Sequence, residues 1–290
     1  MKVEKVSTEF ECSVVIPVYN AEKYLEEAVE SAVHLSEVGE VILVEDNSPD
    51  NALLLCQKLS NKYPKVKLYR HPHGENRGAG ASRNLGITMA SCNFISFLDA
   101  DDYYLPSRFT CAKSIFEEEA DVDFTYGVAQ TNLNFEKSTK AIKGIKGRVA
   151  EGKLFRVLLT GKQGFFHTNC VTIKRKTLLN MPMFDTSLRL HQDTHLWLRL
   201  AYLKKGRQEL DARPTAVVRM HSDNRITGRN NTSLLKLWER VHEDLSQMDL
   251  SLKDLSIISS YLNYYRQAKG NRNLLSKLRY YWMILKVRSI

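Results

Sequence analysis

The chain has 290 residues, 43% of them hydrophobic and 26% charged, which suits one large α/β domain or two closely joined halves around a sizeable core. Its five cysteines (Cys12, Cys56, Cys92, Cys111 and Cys170) are odd in number, scattered and without a C-x-x-C pair, which argues against a disulfide framework or a cysteine zinc site and favours a reducing compartment. Seven of the nine excess positive charges lie in the last 36 residues, where no acid follows Asp254, so the basicity belongs to an appendage and does not describe a general nucleic-acid-binding surface.

The first hundred residues alternate strand and helix signals. Residues 13–18 form a continuous β-branched run, and Tyr24, Leu25, Ala28, Val29 and Ala32 give residues 21–33 helical spacing. Residues 41–44 read as the next strand, with Asp50 placed to cap a helix running to Lys62. A strand over 66–69, a helix over 79–90 and a strand over 94–98 follow. Continuous apolar strands alternating with amphipathic helices predict a mostly parallel sheet flanked by helices. Further on, residues 122–128, 170–173 and 216–220 read as strands, 137–152 as a Lys/Gly-rich loop, 194–203 as a helix, and 233 onward as helical.

In such sheets ligands bind outside the C-terminal strand ends. Three polar clusters stand at predicted strand exits, at residues 17–20, 45–50 and 99–102. The last joins Asp99, Asp101 and Asp102 to the end of an apolar run. Like charges about 4 Å apart repel by roughly 1 kcal/mol in water and about 4 kcal/mol at an effective dielectric near 20. Such a cluster suits a divalent cation, and Mg²⁺ or Mn²⁺ prefers these oxygen ligands.

Four segments then carry a resemblance: SVVIPVYN at 13–20, ILVEDNSPD at 42–50, ENRGAGASRNLG at 75–86 and FLDADD at 97–102. In this order and at these separations they resemble the GT-A domain of family 2 inverting glycosyltransferases, over about residues 12–222. The resemblance implies a GT-A nucleotide-diphospho-sugar transferase fold and transfer of a sugar, most naturally from a UDP-linked donor, with inversion at the anomeric carbon. It implies nucleotide binding by Pro17, Tyr19, Asn20, Glu45, Asp46, Arg83, Asn84, Asp99 and Ala100. Asp46 would accept from the uracil N3–H, and Asp99 would meet the ribose. Glu45 stands where the family more often has Asp. Tyr19 offers an aromatic face to a base, or packs under the next helix. Gly78 and Gly80 do not make a dinucleotide fingerprint, because the third glycine position is Arg83 and the segment before them is loop. They open a loop from which Arg83 and Asn84 reach the nucleotide.

Through the same resemblance, Asp101 and His221 are the metal ligands for Mn²⁺ or Mg²⁺, with Asp102 supporting them or capping a helix. His221 lies in a segment similar to the family's Arg-x-His. The general base falls in the segment LHQDTHLWLR at 190–199, where Gln192 replaces the usual acid and Asp193 remains. Asp193 also suits a helix N-cap. His191 and His195 flank it in an H-x-D-x-H pattern that has no evident third zinc ligand. The implied partners are a nucleotide-sugar donor and a glycan or lipid-linked acceptor in cell-surface polysaccharide synthesis. Rival readings are a nucleotidyltransferase making a sugar nucleotide, opposed by the missing glycine-rich loop after the first strand, and a non-catalytic sugar-nucleotide binder.

The expected division is a GT-A domain over 1–230 (nucleotide-binding half 12–108, acceptor half 109–230) and a basic helical extension over 231–290. The N-terminus lacks an apolar h-region, and no apolar run approaches the ~18 residues of a membrane span, so the expectation is a cytoplasmic protein. Leu274, Leu278, Tyr281 and Leu285 form one stripe of the extension, with Lys277, Arg279, Lys286 and Arg288 at its borders. That arrangement suits peripheral contact with the cytosolic membrane face, while Tyr280, Met283 and Ile284 opposite suit packing on protein.

Overall fold

The computed structural model describes residues 10–133, 141–210, 213–220 and 231–268, together with 282, 283 and 287. Two compact units emerge, and neither is one continuous stretch of chain. The first takes residues 1–144, 166–183 and 205–220; the second takes 145–165, 184–204 and 221–290.

The first unit opens with β1 (Cys12–Val18), α1 (Leu25–Val33), β2 (Val38–Glu45), α2 (Ala52–Lys62), β3 (Val66–Arg70), α3 (Ala79–Met89) and β4 (Phe94–Phe97). Each predicted element of this half is present, with ends shifted by a few residues. Residues 21–24 make a turn rather than the first turn of α1, since both Tyr24 N–H and Leu25 N–H donate to the Ala21 carbonyl. Asp50 does help start α2: its Oδ1 accepts Ala52 N–H at 3.2 Å while its Oδ2 accepts Glu22 N–H at 2.9 Å.

Seven strands form the main sheet in the order β10-β6-β9-β4-β1-β2-β3. β3, β2, β1 and β4 run parallel. The chain moves from β1 to β2 and β3 on one side and returns to place β4 on the other, so the direction of winding reverses between β1 and β4. β9 (Val171–Lys174) is inserted antiparallel to both β4 and β6 (Phe124–Tyr126), and β10 (Gly206–Gln208) closes that edge parallel to β6.

Helices cover both faces for a reason visible in β1. Val14, Ile16 and Val18 are buried in one apolar cluster with Leu25, Ala28 and Val29 of α1. Val15, facing the other way as strand alternation requires, meets α3 at Gly86. A Cβ on Gly86 would fall 2.2 Å from Val15 Cγ1, so only glycine lets α3 lie this close.

The predicted strand over 122–128 is shorter, β6 alone, and a strand the sequence reading did not place, β7 (Ala129–Leu133), follows it in a different sheet. The break is at Gly127, where a Cβ would meet Glu209 Oε2 at 2.6 Å. β7 joins β5 (Tyr103–Tyr104), β8 (Ala141–Lys143) and β11 (Ala216–Met220) in a four-stranded sheet ordered β5-β11-β7-β8. α4 (Thr110–Glu118) and α6 (Arg175–Leu179) complete the first unit.

The second unit is helical: α5 (Leu154–Thr160), α7 (Gln192–Leu203), α8 (Asn231–Leu245) and α9 (Leu252–Ala268). Trp238 of α8 stacks on Tyr261 of α9 with ring centroids 4.1 Å apart. Arg156 of α5 pairs with Asp254 of α9 at 2.7 Å. Among the described residues no helix is long and apolar enough to cross a membrane. Most of the basic tail, including Lys277, Arg279, Lys286 and Arg288, lies outside the described residues.

Candidate active site

The parallel strands β1, β2 and β4 all end at one edge of the main sheet. β1 delivers Pro17, half-buried, then Tyr19 and Asn20, both exposed. Asn20 adopts a left-handed φ of 53°, and its N–H donates to Ser48 Oγ at 3.2 Å.

β2 delivers Glu45 and Asp46, both buried. The longer side chain of Glu45 is consumed locally: Oε2 pairs with Arg70 at 2.8 Å and Oε1 accepts Ser48 N–H at 2.6 Å. Asp46 organises the next loop. Its two carboxylate oxygens accept Arg77 N–H at 2.7 Å and Gly78 N–H at 2.8 Å, and Asn76 donates to its carbonyl at 2.7 Å. Gly78, at φ 86°, makes the turn into α3. Burial pushes His71 below its ordinary range against the pull of nearby Asp46, and its Nε2 lies 3.1 Å from Ser82 Oγ.

The first turns of α3 carry Arg83, buried, and Asn84, half-buried. Arg83 reaches across to Asp99 Oδ1 at 2.5 Å. Burial alone would raise the Asp99 carboxyl, but Arg83, helped by His167, holds it below the usual carboxylate range.

β4 ends in the acidic turn. Asp102 N–H closes it onto the Asp99 carbonyl at 3.0 Å, with Ala100 buried inside. Asp102 is itself buried, and its oxygens accept Arg219 N–H at 2.8 Å and Asn169 Nδ2–H at 2.6 Å. Burial, reinforced by Asp99 and Asp101, pushes its carboxyl up to about 8. Asp101 is half-buried, and its carbonyl accepts Arg219 Nη1–H at 2.8 Å. Arg219 also pairs with Glu27 and lies over the Tyr103 ring, 4.6 Å from its centroid.

One group of potential metal ligands forms among the described residues. Asp99, Asp102 and His167 each offer a ligand atom, all within 4.8 Å of one another. Carboxylate oxygens with one imidazole suit Mn²⁺ or Mg²⁺, and a cation there would relieve the crowding that raises Asp102. Asp101 stands in the same turn but outside this group of three, and His221 lies outside the described residues.

Sequence reading missed His167 and Asn169, and their arrival has a topological cause. Because β9 runs antiparallel to β4, its first residue Val171 and the turn before it lie at the edge where β4 ends. FFHTNC at 165–170 contains no pattern that announces this; the polar pair His167 and Asn169 directly before an apolar run was the available signal.

Asp193 belongs to the second unit. It is half-buried in the first turn of α7, where its Oδ1 accepts Thr194 N–H at 2.7 Å. The N-cap position itself is His191, left-handed at φ 65°. An acid in the first turn opposes the positive end of the helix dipole. His191 Nε2 is 3.2 Å from Ser233 Oγ, and His195 Nε2 is 3.0 Å from Asp244. Burial, then Arg199, hold His195 down to about 4. Neither histidine joins a metal-binding group among the described residues.

Comparison with known proteins places this geometry. The family model described as Glycosyl transferase family 2 matches residues 13–178. The chain is 27% identical over 194 residues to the minor teichoic acid biosynthesis protein GgaB of Bacillus subtilis, covering 66% of this chain and 21% of GgaB. It is 28% identical over 210 residues to GgaA of the same organism, covering 67% of this chain and 44% of GgaA. The chain thus matches less than half the length of either relative. An uncharacterized glycosyltransferase of Haemophilus influenzae is 24% identical over 275 residues, with 94% of this chain and 90% of that one covered. Among solved structures, S. aureus TarS 1–349 superposes with a TM-score of 0.67 at 18% identity, over 96% of this chain and 80% of that chain. The same fragment in complex with UDP-GlcNAc superposes with a TM-score of 0.63 at 19% identity, over 96% and 81%.

Proposed function

The chain belongs to glycosyl transferase family 2, and from that premise we propose that it transfers a sugar from a nucleotide-diphosphate donor, most naturally UDP-linked, to a glycan or lipid-linked acceptor with inversion at the anomeric carbon. The observation that carries this reading is the convergence of the Asp99–Asp102 turn, Arg83 and His167 on the sheet edge where β1 and β2 present Tyr19 and Asp46. Crystal structures of S. aureus TarS 1–349 hold UDP in one case and UDP-GlcNAc in another. That supports a UDP-N-acetylhexosamine as the first donor to test. Two relatives are named for minor teichoic acid biosynthesis, which supports a cell-surface polymer as product.

Each side chain has work in this chemistry. Tyr19 presents a ring to the base, a contact worth about 1–3 kcal/mol. Asp46 fixes the loop over 76–78 through two backbone N–H groups, and each oxygen keeps a second lone pair for the uracil N3–H. Pro17, Asn20, Glu45 and Asn84 shape the nucleotide site, Asp99 with Ala100 faces the ribose, and Arg83 keeps Asp99 ionised. A divalent cation would be held on the acidic turn by Asp101 and His221, the ligands that the family resemblance assigns, with Asp99, Asp102 and His167 as the donors grouped in the structure. When bound, it supplies Lewis-acid stabilisation of the leaving diphosphate.

Asp193 takes the proton from the acceptor hydroxyl. The freed oxygen attacks the anomeric carbon from the face opposite the diphosphate, the bond from that carbon to the diphosphate oxygen breaks, and inversion results. The basic tail brings the enzyme to an anionic cytosolic membrane face, where each cation near the surface contributes about 1 kcal/mol.

The test is a panel of UDP- and GDP-sugars assayed for nucleotide release with Mn²⁺ or Mg²⁺, followed by NMR of the product linkage. Release of UDP with a product of inverted configuration is expected. Release of pyrophosphate from a sugar phosphate and a nucleoside triphosphate, or a retained configuration, would contradict the reading.

A further inference from the structure

The acidic turn is held by a residue outside all four of its recognisable motifs. Asn169 is fully buried. Its side-chain amide addresses both ends of the turn: Oδ1 accepts Asp99 N–H at 3.1 Å, and Nδ2 donates to Asp102 Oδ2 at 2.6 Å. The orientation is fixed by its partners, because a backbone N–H requires the oxygen and a carboxylate requires the NH₂.

Asn169 is in turn immobilised. Its main-chain carbonyl accepts Arg108 Nε–H at 2.8 Å. Arg108, also fully buried, donates through Nη2 to Ser96 Oγ at 2.6 Å and to the Val171 carbonyl at 2.9 Å. Its guanidinium lies over the Phe109 ring, 4.6 Å from the centroid. The brace therefore starts on β4 and β9 and ends on the Asp99 backbone N–H and the Asp102 carboxylate.

We propose that Asn169 is a positioning residue that holds Asp99 and Asp102 together in the spacing that receives the donor's diphosphate and its cation. The proposal rests on the donor reading above and deepens it. Asp99, Asp101 and Asp102 repel one another before any cation arrives. Asn169 contributes a donor on one side and an acceptor on the other without adding charge. A lysine there would compete with the cation, and an aspartate would add a fourth like charge. Outer-shell partners of ligating groups typically matter by about 10–100-fold in affinity or activity.

The experiment compares wild type, Asn169→Ala, Asn169→Asp and Ser13→Ala. Ser13→Ala removes a buried hydrogen bond to Glu40 without touching the acidic turn or its brace. UDP binding is measured calorimetrically with Mn²⁺, alongside kcat, KM, melting temperature and amide hydrogen exchange at Asp99 and Asp102. Both Asn169 variants are expected to weaken UDP binding and raise donor KM by about 10–100-fold and to speed exchange at Asp99 and Asp102, with Asn169→Asp the worse binder. Ser13→Ala is expected to lower the melting temperature and leave UDP affinity within about twofold of wild type. If Asn169→Ala melts lower but binds UDP and exchanges at the turn as wild type does, Asn169 is a packing residue only and the proposal is overturned. If wild type binds no UDP, the donor reading fails, while exchange at Asp99 and Asp102 still decides whether Asn169 braces the turn. Should Asn169→Ala not fold, Asn169→Asp carries the same comparison.

Discussion

Glu40 and Asp102 are both buried carboxylates on the main sheet, at opposite ends of its parallel strands, and they are treated in opposite ways. Glu40, near the start of β2, accepts from Ser13 Oγ at 2.6 Å, Ser91 N–H at 2.6 Å and Ser91 Oγ at 2.9 Å, and pairs with Lys67 at 2.5 Å. Burial works against its ionisation, but Lys67 and the serine donors hold it down to about 2. Asp102, past the end of β4, has two N–H donors and two neighbouring acids, and is pushed up to about 8. The first is a closed structural pair. The second is under-neutralised, as expected where a ligand or cation is to supply the missing charge.

The largest effect that would sharpen the contrast lies in the second unit. Asp193→Asn keeps the size of the side chain and an acceptor for Thr194 N–H but cannot take a proton. It should lower kcat by about 10²–10⁴-fold with UDP affinity unchanged; near wild-type turnover would leave Asp193 as a helix-terminus acid alone. Next, Asp101→Ala should reduce transfer by about 10²–10³-fold with an unchanged melting temperature, since the turn is closed by Asp102 N–H on the Asp99 carbonyl. A fall in stability equal to that of a core mutant would place Asp101 with Glu40 instead.

At the closed end the expectation is reversed. Glu40→Gln keeps an oxygen for the Ser13 and Ser91 donors but turns an NH₂ toward the Lys67 ammonium, and should cost about 2–3 kcal/mol while the folded fraction keeps its kcat. The pH dependence has a definite sign. The Glu40 carboxyl lies lower folded than unfolded, so its stabilisation is full above about 4.5 and is lost as pH falls toward about 2. Wild type should therefore lose stability across that window more steeply than Glu40→Gln, and parallel urea titrations of the two would contradict it.

The two ends also differ in how much could be read beforehand. β1, β2 and β4 announce themselves as apolar runs, and their exits as Tyr19, Asp46 and Asp99, because a parallel strand buried on both faces has few polar residues before its end. The start of β2 carries no such mark: Glu40 stands directly before the 41–44 run, and its partners Ser13, Lys67 and Ser91 come from three other segments. The brace at the active edge was equally hidden. His167 and Asn169 arrive through the antiparallel insertion of β9, a pairing that no local periodicity specifies. The break between β6 and β7 at Gly127 likewise reflects the close approach of Glu209, 82 positions on. The part of the acidic turn visible in the sequence was its charge; what holds that charge in place was not.

The smallest expected effect concerns the basic tail. Co-sedimentation of full-length protein and a version ending near Lys269 with anionic and neutral vesicles should show anionic-selective binding for the full chain only. Equal weak binding of both proteins to both vesicles would reject membrane contact.

The most direct test of the central claim is the cation dependence of UDP release. Wild-type protein should release UDP from a UDP-sugar in the presence of Mn²⁺ and lose at least about 100-fold of that rate in excess EDTA, recovering it on Mn²⁺ addition, with Glu40→Gln behaving identically. Full activity in excess EDTA would contradict the account, because the under-neutralised acids at the end of β4 would then need no cation.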